Sequence, residues 1–167
     1  GAEVALRQVG ADDAARFVEL ANLSSGFHRP WVNLPVSVAE FEAYLARFDQ
    51  VGAVGMVVYL REGGDIAGIV NINGIVRGPY QRGVLGYAAF LPYVGRGYLT
   101  EGVALAVGYA FEQLELHRVE ADIQPENSAS IRLVERLGFR REGFSPEFIK
   151  IDGAWRDHER WALSKGR

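Results

Sequence analysis

The 167 residues suffice for one domain with a substantial core, and 49% hydrophobic with 23% charged residues is a globular balance that excludes a disordered chain. The absence of cysteine removes disulfides, thiolate metal sites and a thiol nucleophile, and the net charge of −3 argues against a nucleic-acid footprint. His28, His117 and His158 have no metal-ligand spacing, no long apolar run appears, and Gly1-Ala2-Glu3 with Asp12 and Asp13 does not open like a signal peptide. A single cytoplasmic domain over 1–167 is expected, without metal, membrane or direct nucleic-acid contact.

Glu3–Val9 reads as a short strand, and Asp12 can cap a helix running to about Asn22. Ser24–Trp31 is expected to be a loop, because Gly26 and Pro30 interrupt helical spacing. Ser37-Val38-Ala39-Glu40 fits a capping box before a helix to about Asp49. Ala53–Arg61 and Ile66–Ile75 are strands around the turn Glu62-Gly63-Gly64-Asp65, and Val84–Leu91 is a third after the Gly78-Pro79 turn. Antiparallel pairing through these short turns is the economical arrangement.

Pro92-Tyr93-Val94-Gly95-Arg96-Gly97 then leads into a helix whose Leu99, Val103, Val107, Ala110, Phe111 and Leu114 share one apolar face. His117–Ile123 is a strand, Asn127–Leu137 a helix with Gly138 past its end, and Phe148–Ile151 and Trp155–Leu163 are strands around Asp152-Gly153. The fold class expected is α/β (or α+β), a mixed sheet with helices on both faces and a strand-rich C-terminus.

The turn at Gly95–Thr100 carries the strongest chemical signal. Glycines let an anion approach the backbone, and a helix start offers unpaired N–H donors in a favourable dipole. Gly95 and Gly97 supply close approach, Arg96 positive charge and Thr100 a hydroxyl, so a diphosphate is the natural guest. The same glycines also suit a plain tight turn. A Walker A loop is excluded by the missing Gly-Lys-Ser/Thr, and a dinucleotide fingerprint is poor because Thr100 replaces its third glycine.

The order of motifs is more specific than the loop. Gly95-Arg96-Gly97-Tyr98-Leu99-Thr100-Glu101, Tyr109-Ala110-Phe111, His117-Arg118-Val119-Glu120-Ala121, Gln124-Pro125-Glu126-Asn127-Ser128 and Leu133–Gly143 follow one another. Together with Asp152–His158 and Arg29-Pro30-Trp31, they resemble the GNAT acetyltransferase superfamily over nearly the whole chain. The branch resembled is that of ribosomal-protein alanine N-acetyltransferases. The resemblance implies a mainly antiparallel mixed sheet flanked by helices, and acetyl-coenzyme A as cosubstrate. It lays the family's loop on Val94–Leu99, with Gly97 at the fixed glycine, while Val94 and Leu99 depart from the family's usual end residues. It also implies that Gly95, Arg96, Gly97, Tyr98, Leu99 and Thr100 bind the diphosphate, that Ala88, Ala89 and Phe90 present backbone to pantetheine and acetyl, and that Asn127 contacts coenzyme A.

Acetyl transfer to an amine requires proton removal, stabilisation of the thioester oxygen and departure of a thiolate. Ser130, within the first turn of the Asn127–Leu137 helix, is the acid candidate by the resemblance, since Val134 stands where other relatives carry a tyrosine. For the base, Asp122 and Glu147 are candidates; Glu101 reads as dipole stabilisation, Glu120 shares a strand face with Asp122, and a water-relayed path is equally consistent. Ser130 and Asn127 also have plain capping explanations. Trp31 and Trp155 are candidates for the acceptor pocket, with Tyr44 read as core. One of Arg132, Arg136, Arg140 and Arg141 could meet the coenzyme 3′-phosphate. The activity expected is direct acetyl transfer in a ternary complex to a primary amine, most specifically a protein N-terminus such as that of a ribosomal protein. A small-molecule amine acceptor, a non-catalytic acyl-coenzyme A-binding module and a nucleotide-binding module stay open, as do oligomeric state and a homodimer.

Overall fold

The computed structural model describes residues 2–28 and 31–166, so Arg29 and Pro30 of the Arg29-Pro30-Trp31 motif lie outside the described residues. Seven strands, β1 (Val4–Gln8), β2 (Val54–Leu60), β3 (Ile66–Val76), β4 (Arg82–Ala89), β5 (Arg118–Ile123), β6 (Arg140–Ile151) and β7 (Ala154–Ser164), form one sheet in the order β1-β2-β3-β4-β5-β7-β6. Every neighbouring pair is antiparallel except β4 with β5. Helices α1 (Ala14–His28), α2 (Val38–Ala46), α3 (Tyr98–Glu112) and α4 (Ser128–Arg136) cover the two faces, so the expected mixed, mainly antiparallel architecture is present.

The period of two along β2 sorts its side chains between two cores. Val54, Met56 and Val58 join Val103, Ala106 and Ala110 of α3, while Val57 joins Phe17, Leu20, Phe41 and Phe90 on the α1–α2 side. On that second face Phe17 packs edge-on against Phe41 at 5.0 Å and Phe90 at 5.5 Å, contacts of the favourable aromatic geometry. On the first face α3 lies close enough to β2 that a Cβ at Gly102 would stand 2.6 Å from Val58.

Three boundaries differ from the sequence expectation, each for a tertiary reason. The expected loop at Ser24–Trp31 is helical as far as His28, because α1 is held by outside partners. Ser24 Oγ donates to the Leu20 carbonyl and accepts the Leu91 N–H, and His28 reaches the Ala89 carbonyl, which outweighs the weak propensity of Ser and Gly. Asp13, not Asp12, binds the chain entering α1: it accepts the Gly10 N–H and forms a bidentate pair with Arg7. β6 begins at Arg140, well before the expected Phe148. Its pairing with β7 shifts between Arg141 and Gly143 and again between Ser145 and Ile149, and these bulges erase the period-two pattern on which a strand assignment rests.

Candidate active site

The central opening follows from one interruption of hydrogen bonding. β4 and β5 pair only at Arg82–Val84 with Arg118–Glu120; beyond that no ladder joins Leu85–Ala89 to Ala121–Ile123. The Phe90 N–H is taken by the Ala67 carbonyl on the β3 side. Alternation along β4 therefore turns the polar groups of Ala88 toward β3 and those of Tyr87 and Ala89 toward the parted edge. An Ala89 N–H so placed suits a developing oxyanion, whereas Phe90 has its donor occupied and its ring wholly buried in the core.

At one end of this opening stands the Gly95–Thr100 turn. Gly97 adopts φ +79° and caps α3 without a side chain. The first bond of the helix runs from the Glu101 N–H to the Gly97 carbonyl, so the N–H groups of Gly97, Tyr98, Leu99 and Thr100 lack intrahelical acceptors. Gly95, Gly97, Tyr98, Leu99 and Thr100 line a cleft of about 410 Å³ that continues past Ala88 and Ala89 to Asn127 and Ser130. Arg132 and Arg136 of α4 stand on its wall. Arg96 is exposed and outside that lining.

Asn127 caps α4 by accepting the Ser130 N–H at 3.3 Å, which fixes the first turn and with it the Ser130 hydroxyl. At the other end of α4, Gly138 takes φ +90°, with its N–H on the Glu135 carbonyl and the Phe139 N–H on the Val134 carbonyl, a Schellman closure. The Ser130 Oγ lies 2.6 Å from the hydroxyl of Tyr87. Burial pushes the Tyr87 phenol up to about 12, with the Ser130 bond acting against the rise, so the phenol stays protonated at neutral pH. No motif pointed to Tyr87; only the parted edge of β4 brings it to Ser130.

His28 is a second residue the sequence did not single out as functional. It is 4% exposed, and its Nε2 lies 2.8 Å from the Ala89 carbonyl; a carbonyl only accepts, so Nε2 carries the proton. Burial holds its pKa below the ordinary histidine value, with the Ala89 bond pulling the other way. The ring thus clamps the carbonyl of the residue whose N–H faces the opening.

The carboxylates separate clearly. Glu101 accepts the Glu3 and Val4 N–H groups and ties α3 to β1. Glu120 is paired with Arg82 and Arg118. Glu147 sits exposed in the second bulge of β6 at φ +48°, outside the three clefts of this region. Asp122 lines a small chamber of about 90 Å³ where β4 and β5 part. Of the aromatic candidates, Trp31 lines both the cleft and this chamber, Trp155 is 59% exposed on the β6–β7 hairpin, and Tyr44 is buried. Among the described residues no group of three or more His, Cys, Asp or Glu side chains is placed to hold a metal ion, and no helix is long and apolar enough to cross a membrane.

The fold and cleft thus define a protein that holds a long, diphosphate-bearing cosubstrate against a parted sheet; the free N–H groups of α3 and the arginines of α4 suit acetyl-coenzyme A. The acetyltransferase (GNAT) domain family matches residues 3–140. The "Probable N-acetyltransferase YjcK" of Bacillus subtilis is 41% identical over 98 residues, 59% of this chain and 54% of its own length. The ribosomal protein uS5-alanine N-acetyltransferase of Escherichia coli is 36% identical over 100 residues, 60% of this chain and 52% of its own. Its alignment, like the first, spans about half the length of the curated relative. Among solved structures, Mycobacterium smegmatis RimJ in complex with CoA-disulfide superposes with a TM-score of 0.89 at 26% identity, over 97% of this chain and 82% of that one. The chain belongs to the GNAT acetyltransferase family.

Proposed function

We propose that residues 1–167 form one acetyltransferase domain that moves an acetyl group from acetyl-coenzyme A to a primary amine, with a protein N-terminal amino group of the ribosomal-protein alanine type as acceptor. The observation that carries this reading is the continuity of a single cleft, from the unpaired N–H groups of α3 to the Tyr87–Ser130 pair. In this reading the diphosphate rests on Gly95–Thr100, a basic Arg132 or Arg136 meets the 3′-phosphate, and pantetheine runs along Tyr87–Ala89. The thioester then lies between the Ala89 N–H and the Ser130 hydroxyl. The amine attacks the thioester directly in a ternary complex. Ser130 returns a proton to the sulfur, and a thiol pKa near 8.5 makes the thiolate a fair leaving group.

The acceptor enters from the opposite side. A second cleft of about 460 Å³ between α1, the segment 32–36 and α2 meets the coenzyme cleft at His28 and Val32, with Asp152 of the β6–β7 turn at its rim. The alanine reading draws support from the E. coli relative, which acts on ribosomal protein uS5. Neither Trp155 nor Glu147 has a place in this scheme. The decisive experiment is a screen that reads free thiol release from acetyl-coenzyme A with alanine-initiated peptides, free amino acids, spermidine and an aminoglycoside. Alanine-initiated peptides should turn over at least about 100-fold faster than the small amines. Faster turnover of a small amine would move the assignment to that acceptor, and tight coenzyme binding without thiol release from any of them would make the chain a binding module.

The His28 clamp yields a further expectation. A His28→Leu variant frees the Ala89 carbonyl and should lower kcat by about 10-fold, with little change in KM for acetyl-coenzyme A. His28→Gln, whose amide nitrogen can reach the same carbonyl, should recover most of the loss. Steady-state kinetics that show equal losses for both variants would remove the clamp from the scheme.

A further inference from the structure

The small chamber between the parted ends of β4 and β5 adjoins the coenzyme cleft and carries several polar side chains on its walls. Asp122, Gln124 and His158 line it, and it meets the coenzyme cleft at Tyr87, Asn127 and Ser130. Its volume of about 90 Å³ has room for several waters. Asp122 and His158 project into it from adjacent strands: Asp122 pairs with Arg160 in the β5–β7 ladder, and His158 lies two residues away on the same face.

Each of the two residues is poised for proton handling. His158 is 3% exposed, and its Nδ1 lies 2.9 Å from the Arg156 carbonyl, so Nδ1 carries a proton and Nε2 is left to meet a water. Among the described residues none donates a hydrogen bond to the Asp122 carboxylate, although its neighbour Glu120 is fully engaged by arginines. Burial raises the Asp122 pKa, with Glu120 adding to the rise and His158, Arg160 and Arg82 opposing it. These are the charged groups that act on it from β4, β5 and β7; α4 contributes only the uncharged Asn127 and Ser130 to the chamber wall.

We propose that this chamber is a water-filled proton relay, in which Asp122 is the base that takes the proton from the attacking nitrogen and His158 is a positioning residue that orients the relaying water. The inference rests on the acetyltransferase reading above. The neutral amine forms the N–C bond to the thioester carbonyl, and its nitrogen becomes positively charged. One N–H proton passes through water to Asp122 as the C–S bond breaks, and the departing thiolate takes one proton from the Ser130 hydroxyl. The same chamber touches Ser130 and Tyr87, so the proton held on Asp122 can return to the serine. Nitrogen loses one proton, sulfur gains one, and the products are the acetyl amide and the free thiol.

The test uses the full chain, acetyl-coenzyme A and an alanine-initiated hexapeptide. In the native protein kcat should fall as the pH drops through the raised Asp122 pKa, because the protonated carboxyl cannot accept. Asp122→Asn should lose that limb and lower kcat about 100-fold, with coenzyme A affinity by calorimetry unchanged. Asp122→Glu should restore part of the rate, and His158→Gln should lower kcat about 10-fold while keeping the acid limb. An Asp122→Asn variant that binds coenzyme A and keeps kcat within threefold, or keeps the limb, overturns the relay. Should that variant fail to bind coenzyme A, His158→Gln decides by its rate: a kcat within threefold of the native value overturns the relay. Native protein that binds coenzyme A but acetylates no acceptor would instead sink the activity on which the relay rests.

Discussion

A Gly97→Trp variant should bind acetyl-coenzyme A about 100-fold more weakly than the native chain, a loss that isothermal calorimetry reads directly. Two effects combine. Gly97 sits at φ +79°, where an L side chain costs about 1–2 kcal/mol of backbone strain. In addition, its Cβ would meet nothing within 4 Å, and Gly97 lines the cleft, so a large side chain has room to extend over the turn. An indole there would stand over the N–H groups that a diphosphate needs. Gly97→Ala carries the strain without the bulk, so it separates the two causes: a small loss in Gly97→Ala beside a large one in Gly97→Trp assigns the effect to occlusion. Unchanged affinity in Gly97→Trp would remove the diphosphate from this turn and with it the cofactor site.

The second large effect concerns the Tyr87–Ser130 pair. Ser130→Ala should lower kcat about 100-fold, the low end of the range for general acid–base catalysis because the thiolate is already a fair leaving group. Asn127 accepts the backbone N–H of residue 130 rather than its hydroxyl, so the cap survives the substitution. Tyr87→Phe should cost about 10-fold, since the 2.6 Å bond that steers the Ser130 hydroxyl is lost. If the two hydroxyls act as one unit, the double variant should be no slower than Ser130→Ala alone. Rates measured for all four members of this cycle settle the point; full additivity would mean that Tyr87 and Ser130 act separately.

These predictions draw on residues of very different legibility. The α3 turn could be read from Gly95 and Gly97 alone, because helix starts and glycine conformations are local properties. Asn127 was legible for the same reason, as was the Schellman glycine Gly138. β6 was half hidden, since two bulges destroy the alternation that marks a strand. The last turn of α1 is hidden from local patterns because its Ser24 and His28 are satisfied by partners more than 60 residues away in the chain. Tyr87, His28 and His158 share that difficulty: each looks like an ordinary core side chain until β4 and β5 part. Phe90 shows the reverse error. Ala89 beside it faces the opening, but strand alternation gives the Phe90 N–H to Ala67.

The break between β4 and β5 has a further consequence for the free energy of the whole protein. A sheet normally satisfies its interior backbone groups with its own strands, yet here the edge of β4 that faces away from β3 has no β5 partner beyond Val84, and apart from the Ala89 carbonyl, held by His28, it leaves that task to a guest. An extended pantetheine arm, with two amides of its own, can serve as the missing strand. The cosubstrate is then a structural member as well as a reactant, and occupancy at 100 times the dissociation constant adds about 2.7 kcal/mol to resistance against unfolding. On the acetyltransferase reading proposed above, the same chain starved of coenzyme A would hold a less stable sheet, so its persistence would track the supply of its own cosubstrate.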